Sequence, residues 1–311
     1  MPGSSFSIRA VSVEFGETEI SLRKHFPAYL RTIEKTGIET VFQTKRTAVE
    51  LAASALNRLF GESDLRRDEV DCVIYVTQSP NYFLPSGACI LQDMCDISRS
   101  AMAFDVGQGC SGFVQALSIA AALTKNFVNT VIVCADNYRS KLDPKDHSTS
   151  LLFSDAASAV WISSESGLLV RAESHFTDGS GKDFLFQAVA TCESHEYLHM
   201  SGADVLLFTK NQVPKEIREV LSTIRLTPSD ISKWFVHQAS KLVLDVIENR
   251  MSIHGRLERN LDRVGNSVSS SIPILLKEQI NHLDEGPLLL CGFGVGLSIA
   301  TMILEPLPPT S

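Results

Sequence analysis

Three residues carry types and surroundings suited to acyl chemistry. Cys110 lies in "DVGQGCSGF" (105–113), between two glycines, where the apolar run "VQALSIAAAL" begins. A cysteine there reads two ways: as a small buried residue, or as a nucleophile whose thiolate is favoured by a helix N-terminus. A thiolate attacks a thioester carbonyl, takes the acyl group, and yields it to a second substrate. His237 in "WFVHQAS" and Asn266 in "VGNSVSSSIP" are hydrogen-bond donors able to hold the oxygen of an enolate. Each also has an ordinary reading, the histidine as a satisfied structural residue and the asparagine after Gly265 as a turn.

These three need elements to bring them together. Apolar spacing of three and four residues predicts a helix over about 47–60, with Val49, Ala52, Leu56 and Leu59 on one face. Short β-branched runs predict strands at 71–78, 102–106, 130–136 and 158–162, separated mostly by helical patterns, which is α/β order. The second half repeats the events: a helix at about 213–225, a strand at 233–238, a helix from about 240 to 251, and strands at 287–293 and 297–304.

Internal similarity supports a duplication. "VTQS" at Val76 matches "VHQA" at Val236, "GCS" around Cys110 matches "GNS" around Asn266, and "VIVCA" around Cys134 matches "LLLCG" around Cys291. The matches keep one order and are separated by about half the chain. They predict two similar halves, 1–165 and 166–311, related by a pseudo-twofold axis, each built from βαβ units. Cys110 and Asn266 then occupy equivalent helix starts facing one cleft, with His237 entering from the neighbouring strand end.

Composition narrows the class. The chain has 311 residues, 44% hydrophobic, 21% charged, with a net charge of −8, enough to bury one large core or two fused ones. Net negative charge argues against broad binding to nucleic acid or anionic membrane. "MPGSSFSIRAVSVEF" lacks a basic region followed by an apolar one, and no apolar run nears the roughly 20 residues of a membrane span, so a cytoplasmic protein is expected. Seven cysteines form no CxxC pair, which makes disulfides and structural zinc unexpected. "HEYLH" (195–199) spells a zinc-protease signature but lacks the amphipathic helix that chemistry needs. "GFGVG" (292–296) lies between two strands with no helix after it, unlike a dinucleotide site.

"DVGQGCSGF", "WFVHQAS", "VGNSVSSSIP" and "GFGVGLS" together resemble the motifs of the β-ketoacyl-[acyl-carrier-protein] synthase III family, condensing enzymes of the thiolase superfamily. "EKTGIE", "FLPSGACILQ", "DPKDHSTSLLFSDAASA" and "HMSGADVLLF" extend the resemblance over nearly the whole chain. It implies a thiolase-like fold, a layered αβαβα sandwich of duplicated halves. It implies that Cys110 accepts the acyl group, that His237 and Asn266 promote decarboxylation of malonyl thioester, and that the N–H groups of Cys110 and Val295 form an oxyanion hole. Phe293 would stand beside the reacting carbon and Gly202 along the substrate arm. The substrates implied are acyl-coenzyme A or acyl-carrier protein, then malonyl-carrier protein, with no metal and no further cofactor. A homodimer and an acyl carrier protein are the implied partners.

Several positions depart from the family pattern. Lys35, His147 and Arg31 stand where the family's arginines and tryptophan hold coenzyme A, and lysine lacks arginine's planar fork. The resemblance therefore leaves the donor as coenzyme A held differently or as a carrier protein. Ser240 replaces an asparagine near the pantetheine arm, and Val236 replaces a proline. Leu84 replaces a phenylalanine that closes the neighbouring subunit's acyl pocket, which points to a longer or differently shaped starter. Lys241 and Arg250, on the helix after His237, are candidates to dock an acidic carrier protein. Two alternatives remain at this stage: an acyltransferase of the same fold using His237 as a base toward an oxygen or nitrogen nucleophile, and a non-catalytic ketosynthase partner subunit.

Overall fold

The computed structural model describes residues 4–188 and 197–308. The strands are β1 (Ser5–Phe15), β2 (Thr18–Ser21), β3 (Thr40–Gln43), β4 (Cys72–Val76), β5 (Met102–Val106), β6 (Asn129–Asp136), β7 (Ala156–Thr177), β8 (Leu185–Phe186), β9 (His199–Met200), β10 (Lys233–Val236), β11 (Leu288–Gly294) and β12 (Ser298–Pro306). The helices are α1 (Leu22–His25), α2 (Leu30–Thr36), α3 (Ala48–Glu62), α4 (Gly87–Met94), α5 (Gly112–Leu123), α6 (His147–Ser150), α7 (Gly202–Thr223), α8 (Lys241–Met251), α9 (Leu261–Val264) and α10 (Ser271–Glu278).

Eight strands join one hydrogen-bonded sheet, in the order β10-β11-β12-β7-β6-β4-β5, with β1 also paired to β7. The first part of β7 pairs antiparallel with β1 and β6, and β6 runs parallel to β4. The second part of β7 pairs antiparallel with β12, β12 with β11, and β11 runs parallel to β10. The same succession of pairings thus occurs on either side of Ser164–Gly167. An isolated parallel bridge between Trp234 and Leu257 lies beside β10 where β5 lies beside β4. The boundary expected at 165 falls inside β7, with no linker.

Alternating side chains build the layers, because successive strand residues face opposite sides. In β4, Cys72, Ile74 and Val76 pack inward with β11's Leu288 and Leu290 around the apolar faces of α5 and α10. On the opposite face of β4, Val73 and Tyr75 pack under α3 and α4. In β11, Leu289, Cys291 and Phe293 pack under α7 and α8. The result is helix, sheet, helix, sheet, helix: the αβαβα sandwich of the thiolase-like fold.

Helix starts follow local chemistry. Thr47 Oγ1 accepts from the Glu50 N–H (3.3 Å) and the Glu50 carboxylate accepts from the Thr47 N–H (2.8 Å), a capping box that starts α3 at Ala48. The helix expected at 213–225 begins instead at Gly202, because Pro214 sits inside α7 rather than at its first turn. Proline there forgoes one backbone hydrogen bond. Burial of Val213, Ile217, Val220 and Leu221 keeps the helix whole. β4 and β10 stop two residues short of their expected ends, which frees Thr77–Gln78 and His237–Gln238 for the site.

Candidate active site

A cavity of about 470 Å³ opens where the strand ends of β10 and β11 meet the start of α5. Cys110, His237, Asn266, Phe293 and Val295 all line it, so the residues singled out from the sequence converge on one space. α2, α7 and the start of α8 form its mouth, contributing Lys35, Gly202 and Ser240.

Cys110 is 8% exposed, two residues ahead of α5. Close approach of β11 requires glycine: a Cβ on Gly292 would come 2.6 Å from the Cys110 carbonyl oxygen, and one on Gly294 3.2 Å from Sγ. Burial, reinforced by the negative Asp136, pushes the thiol up to about 12. In the free enzyme burial thus opposes the thiolate that a helix N-terminus favours. The N–H groups of Cys110 and Val295 donate to no backbone carbonyl among the described residues, and both residues line the cavity.

His237 follows β10 directly, its N–H continuing the pairing to the Cys291 carbonyl (2.9 Å). Its side chain is buried, with Nδ1 2.7 Å from Ser271 Oγ and its ring edge-on to Phe293 at 5.6 Å. Burial pulls it down to about 3, so the imidazole is neutral across the physiological range.

Asn266 is clamped by its backbone, the N–H donating to the Leu152 carbonyl (3.0 Å) and the carbonyl accepting from Ser154 N–H (2.9 Å). Its Oδ1 accepts from the Val268 N–H (3.0 Å), which identifies the oxygen and leaves the Nδ2 donors for the cavity. Val268 takes φ +50° to make that bond, a conformation a β-branched residue rarely adopts. Gly265 before Asn266, at φ +68°, lies where a Cβ would meet Ser154 and Val41 at 3.0 Å.

Behind these groups Asp136, at the end of β6, joins the end of β4 to the turn after Asn266, accepting from the Gln78 N–H (2.8 Å) and from Ser269 Oγ (2.5 Å). Tyr138, absent from the sequence reading, lines the cavity; its hydroxyl donates to Gln78 Oε1 (2.6 Å) and its ring packs on Phe153. With Phe153 and Leu185 it lines the apolar side of the cavity near Cys110, and Leu142 and Leu198 pack in the same cluster.

Other expected residues are placed less centrally. Ser240 lines the mouth but its Oγ also caps α8, accepting from the Val243 N–H (3.4 Å). His147 is not among the cavity-lining residues; its ring lies against Tyr29 (4.2 Å) and Phe26 (5.8 Å). Leu84 sits on an exposed loop away from this chain's own cavity. Lys241 is engaged by Asp245 (2.5 Å), whereas Arg250 and Arg31 are exposed. Of "HEYLH", His195 and Glu196 lie outside the described residues, and no metal-holding cluster occurs among the described ones.

A duplicated α/β sandwich that brings a cysteine, a histidine and an asparagine to one cavity defines a condensing enzyme of the thiolase-like class, an acyltransferase by reaction type. Residues 104–179 match the family model for 3-oxoacyl-[acyl-carrier-protein] synthase III, and residues 221–305 match the model for its C-terminal part. The chain belongs to the 3-oxoacyl-[acyl-carrier-protein] synthase III family. It is 30% identical over 292 residues to the beta-ketoacyl-[acyl-carrier-protein] synthase III of Clostridium perfringens, and 31% identical over 289 residues to that of Lactococcus lactis. Each alignment covers 87% of this chain and 89% of the relative. The crystal structure of a 3-oxoacyl-(acyl-carrier protein) synthase from Burkholderia xenovorans superposes with a TM-score of 0.90 at 26% identity, covering 99% of this chain and 96% of that one.

Proposed function

We propose that this enzyme loads an acyl group from a thioester onto Cys110 and condenses it with malonyl-acyl carrier protein, feeding fatty acid or related acyl-chain synthesis. The observation that carries this reading is the convergence of Cys110, His237 and Asn266 on one cavity, with the asparagine's amide donors turned toward it by the Val268 N–H. In the first step Sγ attacks the thioester carbon. The oxyanion is held by the N–H groups of Cys110 and Val295, and the departing thiol carries off the proton that Cys110 gives up. In the second, His237 and Asn266 donate to the malonyl thioester oxygen. The bond to the carboxylate breaks, carbon dioxide leaves, and its electron pair forms the enolate. The enolate carbon attacks the acyl carbon, and Cys110 leaves as a thiolate that solvent reprotonates.

The chemistry so written needs no metal or cofactor beyond its thioester substrates. Lys35, Gly202 and Ser240 border the path of the pantetheine arm, and Arg250 is the freer cation for a carrier protein since Asp245 already holds Lys241. No helix among the described residues is long and apolar enough to cross a membrane; that the enzyme works in the cytoplasm is part of the proposal. It is assigned as a homodimer through the exposed apolar loop at Tyr82–Leu84.

Incubation with acyl-coenzyme A and acyl-carrier donors, followed by intact mass spectrometry, should show acyl mass on Cys110. Malonyl-carrier protein should then release carbon dioxide. Asn266→Ala should still be acylated, while condensation slows by about 100-fold, the usual cost of one oxyanion donor. Acylation without carbon dioxide release would point instead to plain acyl transfer.

A further inference from the structure

We propose that Ser271 is a positioning residue that fixes the tautomer of His237, placing the ring proton on Nε2 so that the histidine serves as a hydrogen-bond donor and not as a base. Both side chains are buried, at 1% and 0% exposure, and Oγ lies 2.7 Å from Nδ1. Two arrangements fit that distance. If Nδ1–H donated to Oγ, the hydroxyl proton of Ser271 would have no acceptor, since Oγ makes no other hydrogen bond among the described residues. A buried donor left unpaired is costly. If the hydroxyl donates to Nδ1, every proton of the pair is placed, and Nε2–H alone points to the cavity. The hydrogen bond at one ring nitrogen thus decides the other.

Phe293, edge-on to the ring, supplies no competing acceptor. The depressed basicity of the buried imidazole agrees with a donor that keeps its proton. Ser271 opens α10, so helix placement aims its hydroxyl. The consequence rests on the condensing reading: the thioester oxygen of malonyl meets two N–H donors, His237 Nε2 and Asn266 Nδ2, and the proton of Cys110 does not pass to His237.

The test begins with the unmodified protein, 15N-labelled at histidine, with His237 assigned by loss of its signals in His237→Gln. A protonated Nε2 and an unprotonated Nδ1 are expected; a protonated Nδ1 overturns the proposal. Ser271→Ala should give mixed tautomers and slow carbon dioxide release by about tenfold, with Cys110 acylation unchanged within twofold. Ser271→Thr should restore both the single tautomer and the rate. Unchanged carbon dioxide release in a folded Ser271→Ala protein, or equal loss in both steps, would reduce Ser271 to a packing role. Failure of the condensing reading looks different: the unmodified protein would take no acyl group or release no carbon dioxide, whatever the tautomer.

Discussion

At Cys110 the balance between burial and the helix dipole has a measurable sign. With the thiol pushed up to about 12, the thiolate fraction at pH 7 is on the order of 10⁻⁵. Alkylation of the free enzyme by iodoacetamide should therefore rise about tenfold per pH unit from pH 6 to 9 without levelling. A plateau below pH 8 would mean that a thiolate is stabilised at rest. Cys110, His237 and Asn266 were legible in the sequence because each stands in a distinctive local pattern and the duplication linked two of them. Ser271 was not, because it ends a serine-rich run in which register alone assigns roles. Ser269 turns to Asp136, Ser270 to Ser158 and the Cys134 carbonyl, and Ser271 to His237, while Ser267 Oγ is buried without a partner. Tyr138 carried no signal, because it stands alone among polar neighbours in "DNYRSK".

At the scale of elements, strand pairing sets how near β11 comes to the nucleophile. Gly292→Ala puts a methyl 2.6 Å from the Cys110 carbonyl oxygen and 2.7 Å from Ser111 Cα, both backbone atoms. The strand or the start of α5 must shift, at a cost of about 1–3 kcal/mol, and acylation should fall along with the melting temperature. Gly61→Ala, near the end of α3 and outside the cavity lining, is the control. Nothing lies within 4 Å of a Cβ there, and replacing glycine at a helical position should stabilise by about 0.5–1 kcal/mol without slowing acylation. The strands expected at 102–106, 130–136, 287–293 and 297–304 were legible to within one or two residues, whereas β1 carried no such signal and β7 runs well past 158–162. The early start of α7 was not, because its first turns border the cavity mouth and carry a weaker apolar stripe than the buried turns after Pro214.

For the whole molecule, the outstanding surface feature is the run Tyr82, Phe83 and Leu84, which are 61%, 85% and 86% exposed. Three adjacent apolar side chains in water are an interaction surface in search of a partner. Sedimentation should show a dimer that Phe83→Asp converts to monomer; a wild-type monomer at micromolar concentration would remove the assignment. The αβαβα layering was legible from the repeated order of strands and helices, whereas the continuity of β7 was not, because "SSESGLL" (163–169) reads as a polar break. That continuity has a mechanical corollary. One unbroken strand runs through both strand sets, and Asp136 of β6 accepts from Ser269 of the second half, so a rotation of one half against the other would have to break pairing along β7. Successive cargoes at the cavity are then exchanged without a swing of the two halves, by movement of the cargo and of the segments at the mouth.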